Sequence, residues 1–228
     1  MYKKKIIISA DGSHTIELIG KNEQYHSTYG AIQESQHVYI KNGLAQLDTK
    51  NKNIHILEVG MGTGLNVLLS YQYAQQHHLN IHYTAVEAYP LEEEIWSRLN
   101  YPQSISGQQL GDVYRNIHQL DWNKDDSLSE NFILHKVNRG IEDIDLSAES
   151  YDLVYFDAFN PDLEPMLWTE KLFKKIFDSM KYLGLLTTYS TKGIVKRALK
   201  SSGFHIDKKP GPPGKREILN AIKQELSE

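Results

Sequence analysis

The residues of this chain best suited by type and spacing to do chemistry are a run of glycines and three carboxylates. Leu57-Glu58-Val59-Gly60-Met61-Gly62-Thr63-Gly64-Leu65-Asn66 sets glycines at alternate positions where an apolar strand gives way to a helix. Glycines there let the backbone turn tightly and approach a ligand with no Cβ in the way. The spacing is Gly-x-Gly-x-Gly. It is not the Gly-x-Gly-x-x-Gly that opens a dinucleotide-binding helix, which disfavours a nicotinamide dehydrogenase. Alone, such a turn is equally a tight strand-to-helix connection. Glu87 adds weight, because it lies 23 residues after Gly64 and ends the run His82-Tyr83-Thr84-Ala85-Val86. An acid at that strand tip can accept hydrogen bonds from both hydroxyls of a ribose. Its plainer role is an exposed carboxylate or a helix cap. Taken together, loop and acid favour a nucleoside ligand.

Asp157 is the third carboxylate, at the end of Tyr151-Asp152-Leu153-Val154-Tyr155-Phe156 and leading into Ala158-Phe159-Asn160-Pro161. Open α/β sheets bind ligands beyond the carboxyl ends of their strands. A carboxylate there can orient an attacking amine and stabilise positive charge developing on its nitrogen. The alternative is a cap on the following turn, with Pro161 stiffening it.

These residues need a scaffold, and the patterning supplies an α/β one. Strands are expected at 54–59, 81–86, 132–137, 151–156 and 184–189. Helices are expected at 65–76, from about Leu91, at 165–181 and at 193–201. Alternation of this kind implies a mostly parallel sheet covered by helices on both faces. An antiparallel pair, 204–207 with 217–222, closes the chain. Before residue 46, short β-type runs at 3–8, 14–19 and 37–40 alternate with turn residues, predicting a small β-rich extension over 1–45 and a main domain over 46–228.

Composition excludes several classes. Of the 228 residues, 40% are apolar and 24% charged, as in an ordinary globular domain rather than a disordered chain. No apolar run approaches the roughly 18 residues a membrane span needs, and Ile6-Ile7-Ile8 is too short for a signal-peptide core, so a cytoplasmic protein is expected. There is no cysteine, and the ten histidines show no metal-ligand spacing, so no metal is expected. The net charge of −4 hides an asymmetry. Lys192, Lys196, Arg197, Lys200, Lys208, Lys209, Lys215 and Arg216 face only Asp207 within 192–216, so that stretch carries +7 and the other 203 residues −11. A solvated helix face followed by a charged loop would look the same. A local attraction for a polyanion is the functional reading.

The glycine loop with its following acid resembles class I S-adenosylmethionine-dependent methyltransferases, in which Glu58 matches the acid near the methionine part of the cofactor. The same resemblance makes Asn138, after the third strand, the counterpart of the residue that binds the adenine amino group. A closer similarity follows from Asp157-Ala158-Phe159-Asn160-Pro161 with Met166-Leu167-Trp168, and from Thr187-Thr188-Tyr189-Ser190-Thr191-Lys192-Gly193 through Leu199. It extends to Lys208-Lys209-Pro210-Gly211-Pro212-Pro213-Gly214-Lys215-Arg216 and, upstream, to Tyr25-His26-Ser27-Thr28-Tyr29-Gly30-Ala31 with Glu34-Ser35 and His37-Val38-Tyr39-Ile40. In that order these resemble the MnmD/MnmC-type tRNA methyltransferases, in the form without the fused oxidase domain. The resemblance implies a Rossmann-like class I methyltransferase fold and S-adenosylmethionine as cofactor. The implied reaction methylates the aminomethyl nitrogen of 5-aminomethyl-2-thiouridine at the tRNA wobble position.

On this reading Glu58, Gly60, Gly62, Gly64, Asn66, Glu87, Asn138 and Asp157 hold the cofactor, and Asp157 also faces the acceptor amine. Tyr25, Tyr29 and Phe159, with Trp168, offer aromatic faces to a flipped uridine, although each taken singly fits a core position better. Lys192, Lys196, Lys215 and Arg216 meet phosphates, with Lys208 a further candidate. The rival readings are a small-molecule or protein N-methyltransferase and an RNA-binding relative without catalysis.

Overall fold

The computed structural model describes residues 2–48, 53–105 and 110–224, so Met1 of the basic start lies outside the described residues. The chain opens with a three-stranded antiparallel sheet, β1 (Lys4–Ile8), β2 (His14–Leu18) and β3 (Glu23–Gln24). Helix α1 (Ala31–Ser35) follows and runs directly into a π-helical segment, Gln36–Lys41. This corrects the expected strand at 37–40. The β-branched and aromatic character of His37-Val38-Tyr39-Ile40 suggested a strand. However, the buried positions 31, 32, 34, 35, 38 and 39 recur at helical spacing once the window is widened.

The main sheet is built from β4 (Asn53–Val59), β5 (Asn80–Val86), β6 (Asp125–Ser129), β7 (Phe132–Val137), β8 (Tyr151–Phe156), β9 (Met180–Thr188), β10 (Phe204–Pro210) and β11 (Glu217–Lys223). Their spatial order is β10-β11-β9-β8-β4-β5-β7-β6. The five central strands, β9 through β7, are parallel, while β6 pairs antiparallel with β7, and β11 with both β9 and β10. Strand β6 escaped the sequence reading because Asp125-Asp126-Ser127-Leu128-Ser129 is a polar edge strand with no apolar alternation. The run expected to be helical over 165–181 divides into a 3-10 turn at Pro165–Trp168, a helix at Glu170–Ser179, and the start of β9 at Met180.

The helices between the strands are α2 (Leu65–His77), α3 (Glu93–Trp96), α4 (Tyr101–Ser104), α5 (Gly111–Gln119), α6 (Glu170–Ser179) and α7 (Gly193–Ser201). Two apolar clusters result, one on each face of the sheet. Ile56, Tyr83, Leu134 and Tyr155 pack with α2 and α5, and Leu57, Val154, Phe156 and Leu186 pack with α6 and α7. Each face therefore buries every second residue of the parallel strands, and this fixes their register.

That register positions the chemistry. Val59 lies opposite Val86 on one side and Phe156 on the other. The next residue of each strand, Gly60, Glu87 and Asp157, therefore emerges side by side. Strand β4 lies between β5 and β8, where the chain order reverses, so these three residues flank the sheet's switch point.

Candidate active site

A cavity of about 680 Å³ opens beyond the carboxyl ends of β4, β5 and β8, large enough for a nucleoside together with a small acceptor. Gly60 and Gly62 form its floor, both in the left-handed region with φ of 87° and 50°. A Cβ on Gly60 would lie 2.8 Å from the Asp157 carbonyl oxygen, and one on Gly62 would lie 3.1 Å from the Tyr25 ring. The loop can therefore be flat only if both are glycine. Gly64 caps α2 and faces the other way, toward His118 and Ile117.

Glu87 enters the cavity from β5. One carboxylate oxygen accepts the Gly62 N–H at 2.9 Å and the other accepts the Tyr89 N–H at 2.8 Å, which fixes its orientation and leaves further lone pairs toward the cavity. Asn138 lies off the cavity wall, and its amide donates to the Glu87 and Ala88 carbonyls at 3.0 and 3.3 Å. The acids on the wall beyond β7 are instead Glu142 and Asp143, in a 3-10 turn at Ile141–Asp143. The sequence reading passed over this adjacent pair of acids, five and six residues beyond the end of β7.

Asp157 sits half-buried at the floor. Burial pushes its carboxyl up to about 7, and the nearby Glu34 adds to the rise. Hydrogen bonds from Tyr39 and Asn66 and the Lys215 charge oppose it. Tyr39 Oη donates to one oxygen at 2.5 Å and Asn66 Nδ2 to the other at 2.8 Å. The same Asn66 amide also donates to Glu58 Oε1 at 2.9 Å, bridging two carboxylates. Glu58 and Asn66 thus lie behind the floor and not on the cavity surface, with Glu58 fully buried. Desolvation drives the Glu58 carboxyl well above its ordinary range, against the hydrogen bond from Asn66. Tyr39 went unrecognised as a site residue in the sequence, since the strand expected around it gave no reason to aim it at Asp157, 118 residues away.

The first residues of the chain roof the cavity through Glu23, Tyr25, His26 and Tyr29. Tyr25 meets Phe159 edge to face at 4.9 Å, and Tyr29 packs across Gly214, where a Cβ would lie 2.3 Å from its ring. His26 Nε2 lies 2.6 Å from Thr63 Oγ1 in the glycine loop. Burial lowers its pKa to about 4, so it is neutral. Trp168 does not reach the cavity as a platform. It is buried under Phe156 and Tyr189, and its indole N–H donates to the Phe159 carbonyl at 2.8 Å.

The cations divide into inward and outward sets. Lys215 turns inward, 2.8 Å from Glu34 and 4.0 Å over the Tyr189 ring, and so fastens the 211–216 loop across the site. Lys192 pairs with Asp162 at 2.5 Å. Lys196 is half-buried on α7, Arg216 is exposed beside the mouth loop, and Lys208 pairs with Glu217 at 3.3 Å on the closing hairpin. The cavity wall itself is acidic, carrying Glu23, Glu34, Glu87, Glu142, Asp143, Asp157 and Glu164 against Arg139 and Lys215.

Residues 104–224 match the family described as S-adenosyl-L-methionine-dependent methyltransferase. The chain belongs to this family. Among curated proteins, it is 30% identical over 213 residues to the tRNA 5-methylaminomethyl-2-thiouridine biosynthesis bifunctional protein MnmC of Acinetobacter baylyi, covering 87% of this chain and 34% of that protein. The protein of the same name from Cupriavidus metallidurans is 27% identical over 88% of this chain and 31% of its own length. The chain thus spans about a third of these relatives. Among solved structures, MnmC2 of Aquifex aeolicus superposes with a TM-score of 0.80 at 22% identity, over 99% of this chain and 72% of that one. The spermidine synthase of Thermotoga maritima shares the fold with a TM-score of 0.59 at 13% identity, over 98% and 70%.

The family's cofactor is S-adenosylmethionine, and this site fits it. The flat glycine floor, the cavity volume and a carboxylate at the β5 tip suit a nucleoside, and an acidic wall suits a sulfonium cation. Among the described residues no group of three His, Cys, Asp or Glu side chains is placed to hold a metal ion, and no helix is long and apolar enough to cross a membrane.

Proposed function

We propose that the chain methylates the aminomethyl nitrogen of 5-aminomethyl-(2-thio)uridine at the tRNA wobble position, acting in the cytoplasm. The observation that carries this reading is the partly buried Asp157 at the floor of an acidic cavity. A primary amine arrives as an ammonium ion, which such a wall attracts, and it must lose a proton before its lone pair is a nucleophile. Asp157, with its affinity for a proton raised to near neutrality, is matched to that task. The names of the MnmC relatives, which align along most of this chain, point to the same nucleoside.

In this reading Gly60, Gly62 and Glu87 hold the nucleoside half of the cofactor, with Gly64 starting the helix behind it. Glu142 and Asp143 face the adenine end, and Asn138 supports Glu87 through its backbone. Glu58 and Asn66 brace the floor from behind. Bound there, the cofactor supplies an electrophilic methyl group on a sulfonium. Residues 1–45 act as the roof of the main domain, 46–228. Tyr25, Phe159 and Tyr29 receive the flipped base, since aromatic faces take unstacked bases in RNA recognition. Arg216, Lys196 and Lys192 meet the backbone phosphates, and Lys215 orders the loop that carries Arg216. A small-molecule amine as acceptor would leave the exposed Arg216 without a phosphate to meet.

The test incubates the purified protein with S-adenosylmethionine and tRNA from cells lacking the activity, followed by nucleoside mass spectrometry. The expected product is one methyl on the aminomethyl uridine. Methyl incorporation into another nucleoside, or transfer to free amines but not to tRNA, overturns the assignment.

A further inference from the structure

Asp157 is gripped from two sides, and the arrangement of one of them is costly in backbone terms. Residues 36–41 adopt a π-helix, a conformation that proteins form rarely and mostly at functional sites. The surroundings hold this turn in place. The Asn42 side chain and backbone N–H both donate to the His37 carbonyl, at 2.7 and 3.2 Å. Thr187 Oγ1 donates to the Val38 carbonyl at 3.1 Å, and Asn220 Nδ2 to the Asn42 carbonyl at 2.8 Å. Gly43 allows the chain to pass close to Tyr39 and Tyr155, where a Cβ would meet the Tyr39 carbonyl oxygen at 2.2 Å. The result of this scaffolding is that the Tyr39 hydroxyl lands on Asp157 Oδ1.

We propose that Tyr39 is a positioning residue whose hydroxyl, together with the Asn66 amide, orients the Asp157 carboxylate and sets its affinity for a proton. Both partners donate, and a hydrogen bond to the ionised carboxylate is stronger than one to the neutral acid, so each favours ionised Asp157 and offsets part of the cost of its burial. The other groups facing Asp157 are Glu34 on α1, Lys215 on the 211–216 loop, Tyr189 after β9, and Glu58 behind Asn66. Glu34 and Lys215 are paired with each other at 2.8 Å and act on Asp157 in opposite senses, Glu34 raising it more than Lys215 lowers it. Burial drives the Glu58 carboxyl well above its ordinary range. Tyr39 is itself driven well above the usual phenol range by burial and by the Asp157 charge, so it stays a donor wherever Asp157 titrates. Without these two donors, burial would raise Asp157 further, against the Lys215 charge alone. The carboxylate would then carry its proton through neutral pH and could not receive another from an ammonium nitrogen.

The consequence for the reaction rests on the reading that Asp157 receives the amine's proton. The titration itself does not rest on it. The experiment follows Asp157 by carbon NMR of protein labelled at the aspartate carboxyl carbon, with Asp157→Asn identifying the signal. Tyr39→Phe keeps the ring against Tyr155 and removes only the donor, so the midpoint should rise by about one pH unit, a tenfold gain in proton affinity. A fluorinated tyrosine at position 39, with a more acidic and stronger-donating hydroxyl, should lower the midpoint. A merely structural role for Tyr39 predicts no such opposite pair of shifts. The acidic limb of kcat/KM should move in the same directions. An unchanged midpoint in both variants, with the fold intact by circular dichroism, overturns the inference while leaving the methyltransferase reading in place. Shifted midpoints with no methyl transfer to tRNA by the unmodified protein overturn that reading and leave this inference standing.

Discussion

Replacing Glu87 with alanine perturbs the cofactor site at the point where the structure makes its most specific statement. The carboxylate is anchored by two backbone donors, Gly62 at 2.9 Å and Tyr89 at 2.8 Å, and directs its remaining lone pairs into the cavity. Ribose hydroxyls bound there form hydrogen bonds to a charged acceptor, a contribution of about 1.5–3 kcal/mol net of competition with water. The expected loss on Glu87→Ala is therefore about 2–3 kcal/mol, or roughly 30–150-fold in Kd. Part of that loss comes from the glycine loop, because Gly62 loses its acceptor. A double-mutant cycle separates the contributions: titration calorimetry of both proteins with S-adenosylhomocysteine and with its 2′,3′-dideoxy analogue. The substitution should cost the full amount against the natural ligand and much less against the analogue. Equal losses with the two ligands would refute a ribose contact and leave Glu87 only a brace for the loop. An unchanged Kd would remove it from the site.

Asp157→Asn should lower turnover by about a hundredfold or more while changing cofactor affinity only a few-fold, measured by single-turnover methylation and calorimetry. With Asp157 raised to about 7, it is protonated below that pH and ionised above it, so kcat/KM should fall as pH drops below about 7, and Asp157→Asn should abolish this limb. The same shift gives a stability signature. Folding favours the protonated form, so stability falls as pH rises from the ordinary aspartate value of 3.8 toward about 7, and chemical denaturation of Asp157→Asn should lack that slope. Gly60→Ala places a Cβ 2.8 Å from the Asp157 carbonyl oxygen at a φ of 87°, which should cost about 1–3 kcal/mol in a thermal melt and weaken cofactor binding. Binding of tRNA should weaken steeply with salt, and Arg216→Ala should reduce the slope of log K against log salt by about one, read by filter binding.

How much of this was legible in the sequence depended on whether a residue's partner was local. Gly60, Glu87 and Asp157 were readable because each directly follows a strongly patterned strand, and parallel pairing places such positions in one row, while Gly62 was readable from the glycine spacing. Tyr39 was not, since its significance comes from Asp157, 118 residues on, and from a π-helical turn that tertiary contacts impose on a strand-like run. Lys215 shows the same limit for charge. The basic stretch was evident, but only the fold brings Glu34 and the Tyr189 ring beneath that lysine and turns it inward. Asn138 follows β7, but its amide turns to the Glu87 and Ala88 carbonyls and stays off the cavity wall. The carboxylates of Glu142 and Asp143 reach the wall because a 3-10 turn carries them back, and no periodicity announces so short a turn.

The most direct measurement is a crystal structure with S-adenosylhomocysteine bound. The account predicts ribose oxygens within hydrogen-bond distance of Glu87, adenine beside Ile141–Asp143, and the sulfur turned toward Asp157. Ligand bound away from the Gly60–Gly62 floor, or a sulfur pointing away from Asp157, would contradict it.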